Sequence, residues 1–140
     1  MYYRRKILLS LLENFSGELN KTSLQKLLFI YTRWQDKKAF DFVPYKYGCY
    51  SFQANQDLKT LGKYGLVKES TNANSPQWVK STDENYIPTL NKTDKALMVK
   101  LKSAYNEMSR EELIQYTYRN YPYYAIKSEI AHKVLGNAKK

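Results

Sequence analysis

One stretch of the chain, from Ser51 to Lys80, constrains the fold more than any other because its periodicity changes in the middle. Its first half repeats apolar residues at the spacing of a helix that buries one face. Tyr64 and Gly65 end this repeat, and short β-type runs follow at 66–69 and 78–80, separated by a turn-rich segment. We therefore expect a helix that leads directly into a β-hairpin. The residues expected on its buried face are Ala54, Leu58 and Leu61.

Two helices are predicted before this stretch from the spacing of apolar residues. The first spans Tyr3–Phe15, and the second begins at Thr22 or Ser23 and runs to about Gln35. Residues 36–50 contain proline, glycine and several tyrosines, a composition that favours an ordered loop or a short strand. The basic residues in and just after the second helix lie off its apolar stripe, so we expect them to face water. These residues are Lys26, Arg33, Lys37 and Lys38.

The C-terminal third is predicted to add helices to the same domain. One spans 93–108, a second begins at the capping box Ser109–Glu112 and ends before Pro122, and a third spans Ile126–Leu135. The expected fold class is therefore mainly α with a small β-hairpin, in a single domain. Its expected parts are a core over 1–90, a helical extension over 91–135 and a flexible tail over 136–140.

The charge of the chain indicates a polyanionic partner. Lys and Arg number 23 against 13 Asp and Glu, which gives a formal net charge of +10 and an isoelectric point near 9.5. The excess is spread along the whole chain, so it is not a detachable basic arm. Hydrophobic residues make up 43% of the chain, enough to form a core and not a disordered polycation. A basic folded domain of this kind attracts nucleic acid.

Enzyme chemistry and metal binding have few candidate residues in this sequence. Cys49 and His132 are the single residues of their types, whereas a structural zinc site needs four ligands and a Cys or Ser triad needs a positioned histidine. No Walker, dinucleotide-binding or zinc-protease motif is present. No signal peptide and no apolar run long enough for a membrane span is found. We therefore expect a non-catalytic cytoplasmic protein with no metal, no cofactor and no membrane partner.

The predicted helix over 51–65 and the hairpin after it resemble the recognition helix and wing of winged helix-turn-helix regulators. The resemblance implies a winged-helix-like domain with extra C-terminal helices that binds double-stranded DNA, in a bacterial regulator or antitoxin. Asn and Gln can pair with adenine edges, and Lys with guanine or phosphate. The helix residues expected to face DNA are Gln53, Asn55, Gln56, Lys59, Thr60 and Lys63, the first four of that list as base-edge contacts. Phosphate contacts are expected from Arg4, Arg5, Lys6, Lys46 and Lys80.

A second resemblance covers Leu24 to Val67, through the motifs LQKLLF at 24–29 and YKYGCYS at 45–51. These motifs and the Leu-Val pair that follows resemble the SocA-like, or Panacea, domain, with Cys49 where that family usually has proline. The resemblance implies an antitoxin or adaptor module that grips another protein, such as a toxin. Protein binding through the same surface is therefore the alternative to DNA binding.

Five tyrosines near the C-terminus leave two roles open. They lie around Arg119 and Pro122. Tyrosine rings can stack on the bases of single-stranded nucleic acid, but they also fill cores and dimer interfaces. Burial or a homodimer contact is the role we favour. The five residues are Tyr116, Tyr118, Tyr121, Tyr123 and Tyr124.

Overall fold

Short helices alternate with short antiparallel strands in the structure, a computed structural model that describes residues 1–72 and 74–131. The helices are α1 (Tyr3–Asn14), α2 (Lys21–Trp34), α3 (Phe52–Lys63), α4 (Lys92–Tyr105) and α5 (Arg110–Asn120). The strands are β1 (Glu18–Asn20), β2 (Val43–Tyr45), β3 (Gly48–Tyr50), β4 (Val67–Asn72) and β5 (Ser75–Lys80). Short 3-10 helices lie at Ile87–Thr89 and Pro122–Ala125.

The strands form two antiparallel sheets. In the larger one β5 lies between β1 and β4, so that Trp78 pairs with Leu19 on one side and with Glu69 on the other. β2 and β3 form a separate hairpin between α2 and α3. β4 and β5 are the hairpin predicted after α3, and both strands are longer than the sequence indicates. The sequence does not predict β1, because its three residues directly follow turn residues.

Side-chain caps fix the start of α3 and α5. The Ser51 hydroxyl accepts a hydrogen bond from the backbone N–H of Ala54 at 3.1 Å, which confirms the predicted start of α3. Ser109 and Glu112 form the predicted capping box at the start of α5. α5 ends before Pro122, as predicted.

The cap of α2 differs from the prediction. Asn20 is the N-cap, and its Oδ1 accepts from the backbone N–H groups of Thr22 and Ser23 at 2.9 and 3.1 Å. Thr22 and Ser23, the predicted caps, instead supply the backbone N–H groups that bond to Asn20. The helix begins slightly earlier because an asparagine side chain can bond two free N–H groups of the first turn.

The hydrophobic core lies where α1, α2, α3 and the larger sheet meet. The predicted buried face of α3 is confirmed, because Ala54, Leu58 and Leu61 are at most 1% exposed. Leu66, predicted to be buried with them, is half-buried and packs at the margin of this core. The residues that share the core with α3 include Ile7, Leu24, Leu27, Leu28 and Trp78.

α4 and α5 pack on α2 and belong to the same domain. Met98 and Leu101 of α4 and Leu113 of α5 are buried in the common core. α5 also closes over β3, where Gly48 has a φ of +96° and a methyl group on its Cα would overlap the ring of Tyr118. Glycine is required at this position both by the backbone conformation and by the close approach of α5.

A buried carboxylate joins α1, α2 and α4. Asp94 is 3% exposed, and it accepts hydrogen bonds from the hydroxyl groups of Tyr3 at 2.6 Å and Tyr31 at 2.5 Å. Gln35 donates to the Tyr3 hydroxyl at 3.0 Å. Burial and the adjacent carboxylate raise the pKa of both tyrosines, so that their hydroxyl groups stay protonated and donate. Asp94 also lies in the first turn of α4, where negative charge is favourable.

The predicted helix over Ile126–Leu135 does not begin at Ile126. Residues 126–130 form turns and bends, because the backbone N–H of Glu129 bonds to the carbonyl of Lys46 and the Ser128 hydroxyl bonds to that of Tyr118. These contacts bind the segment to the β2–β3 turn and to α5. The rest of that predicted helix, His132 and the predicted tail over 136–140 lie outside the described residues.

Replacing Leu58 by alanine should lower the free energy of unfolding by about 2 to 5 kcal/mol, because a buried leucine is truncated in a packed core. Urea denaturation measures this change. Lys59→Ala, on the exposed face of the same helix, should change it by no more than about 0.5 kcal/mol. Equal effects of the two substitutions would contradict the burial of this face.

Candidate nucleic-acid interface

α3 presents a line of exposed side chains opposite its buried stripe. Phe52, Gln56, Lys59 and Lys63 recur at the spacing that keeps residues on one helical face. All four are exposed, Phe52 at 54%. In the described part of the chain neither lysine takes part in a salt bridge. The outer face of α3 is therefore accessible, polar and positively charged.

The six α3 residues predicted to face DNA divide into two groups. Gln53 lies to one side, and its Oε1 accepts a hydrogen bond from the backbone N–H of Asp41 at 2.8 Å. Asn55 and Thr60 are half-buried on the flanks, and the Thr60 hydroxyl donates to a backbone carbonyl of its own helix. These three side chains are partly used within the fold. The residues that remain in the exposed line are Gln56, Lys59 and Lys63.

Two hydrogen bonds from α2 hold the start of α3. The Nε2 of Gln25 donates to the carbonyl oxygen of Ser51 at 3.1 Å, and the backbone N–H of Ser51 donates to the Oε1 of Gln25 at 2.8 Å. Both residues are buried. A single amide side chain therefore satisfies both polar groups of a buried residue and fixes the distance between the two helices.

Two of the three basic residues at the start of α1, Arg4 and Arg5, lie beside α3. The Nε atoms of Arg4 and Arg5 lie 2.9 and 3.7 Å from the carboxylate of Asp57, which is buried on the inner side of α3. Arg4 is exposed, whereas Arg5 and Lys6 are half-exposed. Two of the predicted phosphate contacts of α1 are thus positioned next to α3, although Asp57 compensates part of their charge.

A cleft separates the end of α3 from the β4–β5 hairpin. Its volume is about 470 Å³, and the charged residues on its walls are Lys59 and Lys63 from α3 and Lys68 and Glu69 from β4. Lys68 is exposed and was not predicted as a contact. Neighbouring side chains of a strand point to opposite faces, and Val67 points into the core. Lys68 therefore points away from the core. Lys21 lies on the inner face of the sheet, paired with Glu69.

The prediction for Lys80 needs correction. Its side chain is 10% exposed, and its Nζ donates to the carbonyl of Thr82 at 2.8 Å and lies 3.9 Å from the carboxylate of Glu13. Lys80 lies at the foot of the hairpin, next to α1, because β5 ends there and its last side chain turns towards the core. Its ammonium group is used inside the protein and is not an accessible phosphate contact.

Lys46 is exposed in the turn of the β2–β3 hairpin, as its predicted role requires.

The hairpin continues into an aromatic cluster at the start of α3. The rings of Tyr45, Tyr50 and Phe52 lie within 4.9 to 5.2 Å of one another, centroid to centroid. Tyr47, in the same turn, is 41% exposed. Phe52 was not predicted as a contact, although a phenylalanine directly after the N-cap of a helix is visible in the sequence.

Lys26, predicted to face water, is buried at 2% exposure. Its Nζ donates to the carbonyl oxygen of Cys49 at 2.8 Å. Burial lowers the pKa of Lys26 and raises the pKa of the Cys49 thiol. The spacing of apolar residues did not predict the burial of Lys26, because both α5 and the β2–β3 hairpin cover this side of α2. Arg33, Lys37 and Lys38 are exposed, as predicted.

Most of the C-terminal tyrosines take part in the fold. Tyr118 is buried, and Tyr121 and Tyr124 pack edge to face on Phe29 of α2 at 5.0 and 4.8 Å. Tyr116 is half-buried and hydrogen-bonds to Tyr105. The burial that we favoured over base stacking is confirmed for Tyr118, and the other three tyrosines are half-buried against the core. Tyr123 is the fifth, and it is 62% exposed.

Residues 1–72 and 74–131 contain no group of three or more His, Cys, Asp or Glu side chains that could hold a metal ion. Over the same residues, no helix has both the length and the apolar character needed to cross a membrane. His132 lies beyond the described residues.

Comparison with models of known protein families gave no match, and comparison with curated proteins gave none. The winged-helix and SocA-like resemblances therefore stay predictions. The geometry of α3 and its surroundings is therefore the basis for inferring a function.

Replacing Gln25 by alanine should lower the free energy of unfolding by about 1 to 3 kcal/mol. The substitution leaves the buried N–H group of Ser51 without a partner, whereas its C=O group still accepts from the backbone N–H of Asn55. Gln56→Ala, which removes the same side chain from the exposed face of α3, should have little effect. If both variants unfold at the same denaturant concentration, Gln25 does not hold the start of α3.

Proposed function

We propose that this chain is a winged-helix protein that binds double-stranded DNA through α3 and the β4–β5 hairpin. The order of the elements supports this proposal, since α1, β1, α2 and α3 precede a β-hairpin whose second strand pairs with β1. The added β2–β3 hairpin and the helices α4 and α5 lie outside that pattern. In this role the chain is a non-catalytic regulator or antitoxin of the bacterial cytoplasm.

The observation that carries the proposal is the exposed line of α3, from Phe52 through Gln56 and Lys59 to Lys63. A helix of 12 residues is about 18 Å long, and the major groove of B-DNA is wide enough to admit it. The line contains a glutamine, which can pair with an adenine edge, and lysines, which can bind guanine or phosphate. No acidic side chain interrupts it.

The basic groups around this line fit contacts to the DNA backbone. Lys63 and Lys68 lie on the two walls of the cleft between α3 and the hairpin. Arg4, at the start of α1, is exposed and lies beside α3 through its contact with Asp57. In the proposed complex these basic groups contact phosphate groups while α3 lies in the groove. We assign the base-edge contacts to Gln56 and Lys59.

Protein binding is the second candidate, and the aromatic cluster favours it. Phe52 and Tyr47 are exposed next to Lys46, and exposed aromatic residues are enriched at protein interfaces. A protein partner that covered this cluster would also cover the start of α3. An antitoxin or adaptor of the SocA-like type would use the surface in this way.

Binding to duplex DNA should weaken strongly between about 50 and 200 mM salt, because phosphate contacts release counterions. Replacing Lys63 and Lys68 together by glutamine should reduce the slope of log affinity against log salt by about 2. Fluorescence anisotropy with a mixed-sequence duplex measures this slope. Lys92→Gln with Lys95→Gln, exposed on α4, is the control of equal charge and should leave the slope almost unchanged.

No binding at the lower salt concentration would contradict the DNA proposal and favour a protein partner. If the slope decreases equally in the two double variants, then net charge, and not the surface of α3 and the hairpin, causes the binding.

Gln56→Ala should relax base preference at one position of the preferred site, because a bidentate contact to a base edge contributes about 1 to 3 kcal/mol of discrimination. Selection from random duplexes with wild type and variant measures the preference. Lys63→Gln should weaken binding to all sequences alike. If the wild-type protein selects no sequence preference, α3 does not recognise base sequence and the binding is non-specific.

A further inference from the structure

A cavity of about 210 Å³ lies between α2 and the β2–β3 hairpin. Its lining includes three lysines and three tyrosines, and no aspartate or glutamate. These residues are Lys21, Lys26, Lys46, Tyr45, Tyr47 and Tyr50. Lys21 is paired with Glu69, which lies outside the lining, whereas the described residues form no salt bridge with Lys26 or Lys46. The cavity therefore combines aromatic walls with the positive charge of two lysines that no carboxylate pairs with.

Lys26 is the buried member of this set. Its Nζ donates to the Cys49 carbonyl, and an ammonium group has three N–H donors. The described residues place no carboxylate in salt-bridge contact with it. The neighbouring Gln25 amide is already bonded to Ser51 at both ends. A buried cation without a counter-ion is costly, and an anion that entered the cavity would supply the missing charge.

We propose that this cavity is a binding site for a small aromatic carboxylate, whose carboxylate contacts the Nζ of Lys26 and whose ring lies among the tyrosines. The volume fits this class, since a cavity of about 150 Å³ holds one benzene molecule and a carboxylate needs little more. Tyr45 and Tyr50 lie 5.0 Å apart and are half-buried, so they offer apolar ring surface to a planar ligand.

The site lies where a ligand would affect α3. Tyr50, in the lining, directly precedes Ser51, the N-cap of α3, and Gln25, also in the lining, bonds to both backbone groups of Ser51. A ligand between α2 and the hairpin would therefore contact Gln25, which holds the first turn of α3, and Tyr50, the residue before its N-cap. This coupling does not require DNA, so it can be tested independently of the proposed function.

The test is a titration of the isotope-labelled full chain with sodium benzoate, followed by amide NMR in the absence of DNA. Benzoate should shift the amide signals of residues 21–26 and 45–52. Benzamide, which lacks the charge, and acetate, which lacks the ring, should each bind at least about tenfold more weakly. Shifts scattered over the exposed lysines, or equal affinity for benzamide, would overturn the proposal.

Lys26→Met keeps most of the unbranched side chain and removes its charge, and it should weaken benzoate binding by at least about tenfold. Lys63→Gln, outside the cavity, removes the same charge and should change the affinity by less than about twofold. Unchanged affinity in Lys26→Met would overturn the assignment of the carboxylate to Lys26.

A second measurement needs no variant and stays decisive if Lys26→Met does not fold. A nearby anion stabilises the charged form of an ammonium group, so saturating benzoate should raise the pKa of Lys26, followed through its side-chain carbon signals. A Lys26 titration that benzoate does not move would overturn the proposal.

Discussion

Burial of α2 on nearly every side is the constraint on which the other elements depend. All residues from Ser23 to Thr32 are buried, so the polar side chains among them cannot reach water and need partners inside the protein. Gln25 bonds to the start of α3, Lys26 to β3, and Tyr31 to the first turn of α4. Three different elements are thus positioned by polar groups of one helix. The exposed line of α3 takes its place from the first of these bonds.

Features that depend on residues close together in the sequence could be predicted. The buried face of α3, the start of that helix at Ser51 and the capping box at Ser109 each follow from a pattern within one or two helical turns. The β4–β5 hairpin follows from β-type residues on both sides of a turn. For the candidate site, the same reasoning located the helix and three of its exposed residues, because exposure follows from the helical period once the buried face is known.

Features that depend on distant partners could not be predicted. Lys26, Gln53 and Lys80 were each expected at the surface, because a polar side chain off an apolar stripe usually faces water. Their partners Cys49, Asp41 and Glu13 belong to other segments of the chain, and no local pattern indicates that these segments meet. Lys68 and Phe52 were missed for different reasons, since the contact on the hairpin was predicted at Lys80 and the contacts on α3 only at polar residues.

The packing of α5 over β3 has a consequence for modularity. Gly48 fits beneath the ring of Tyr118, and α5 packs on both β3 and α2, in which Cys49 and Lys26 are buried. A shortened chain that ended at residue 90 would lose this cover and expose the apolar side of α2 that faces α4 and α5. The part of the chain that carries the exposed line of α3 is therefore not expected to fold independently. Transferring it to another protein, by design or by recombination, would require α4 and α5 to be transferred with it.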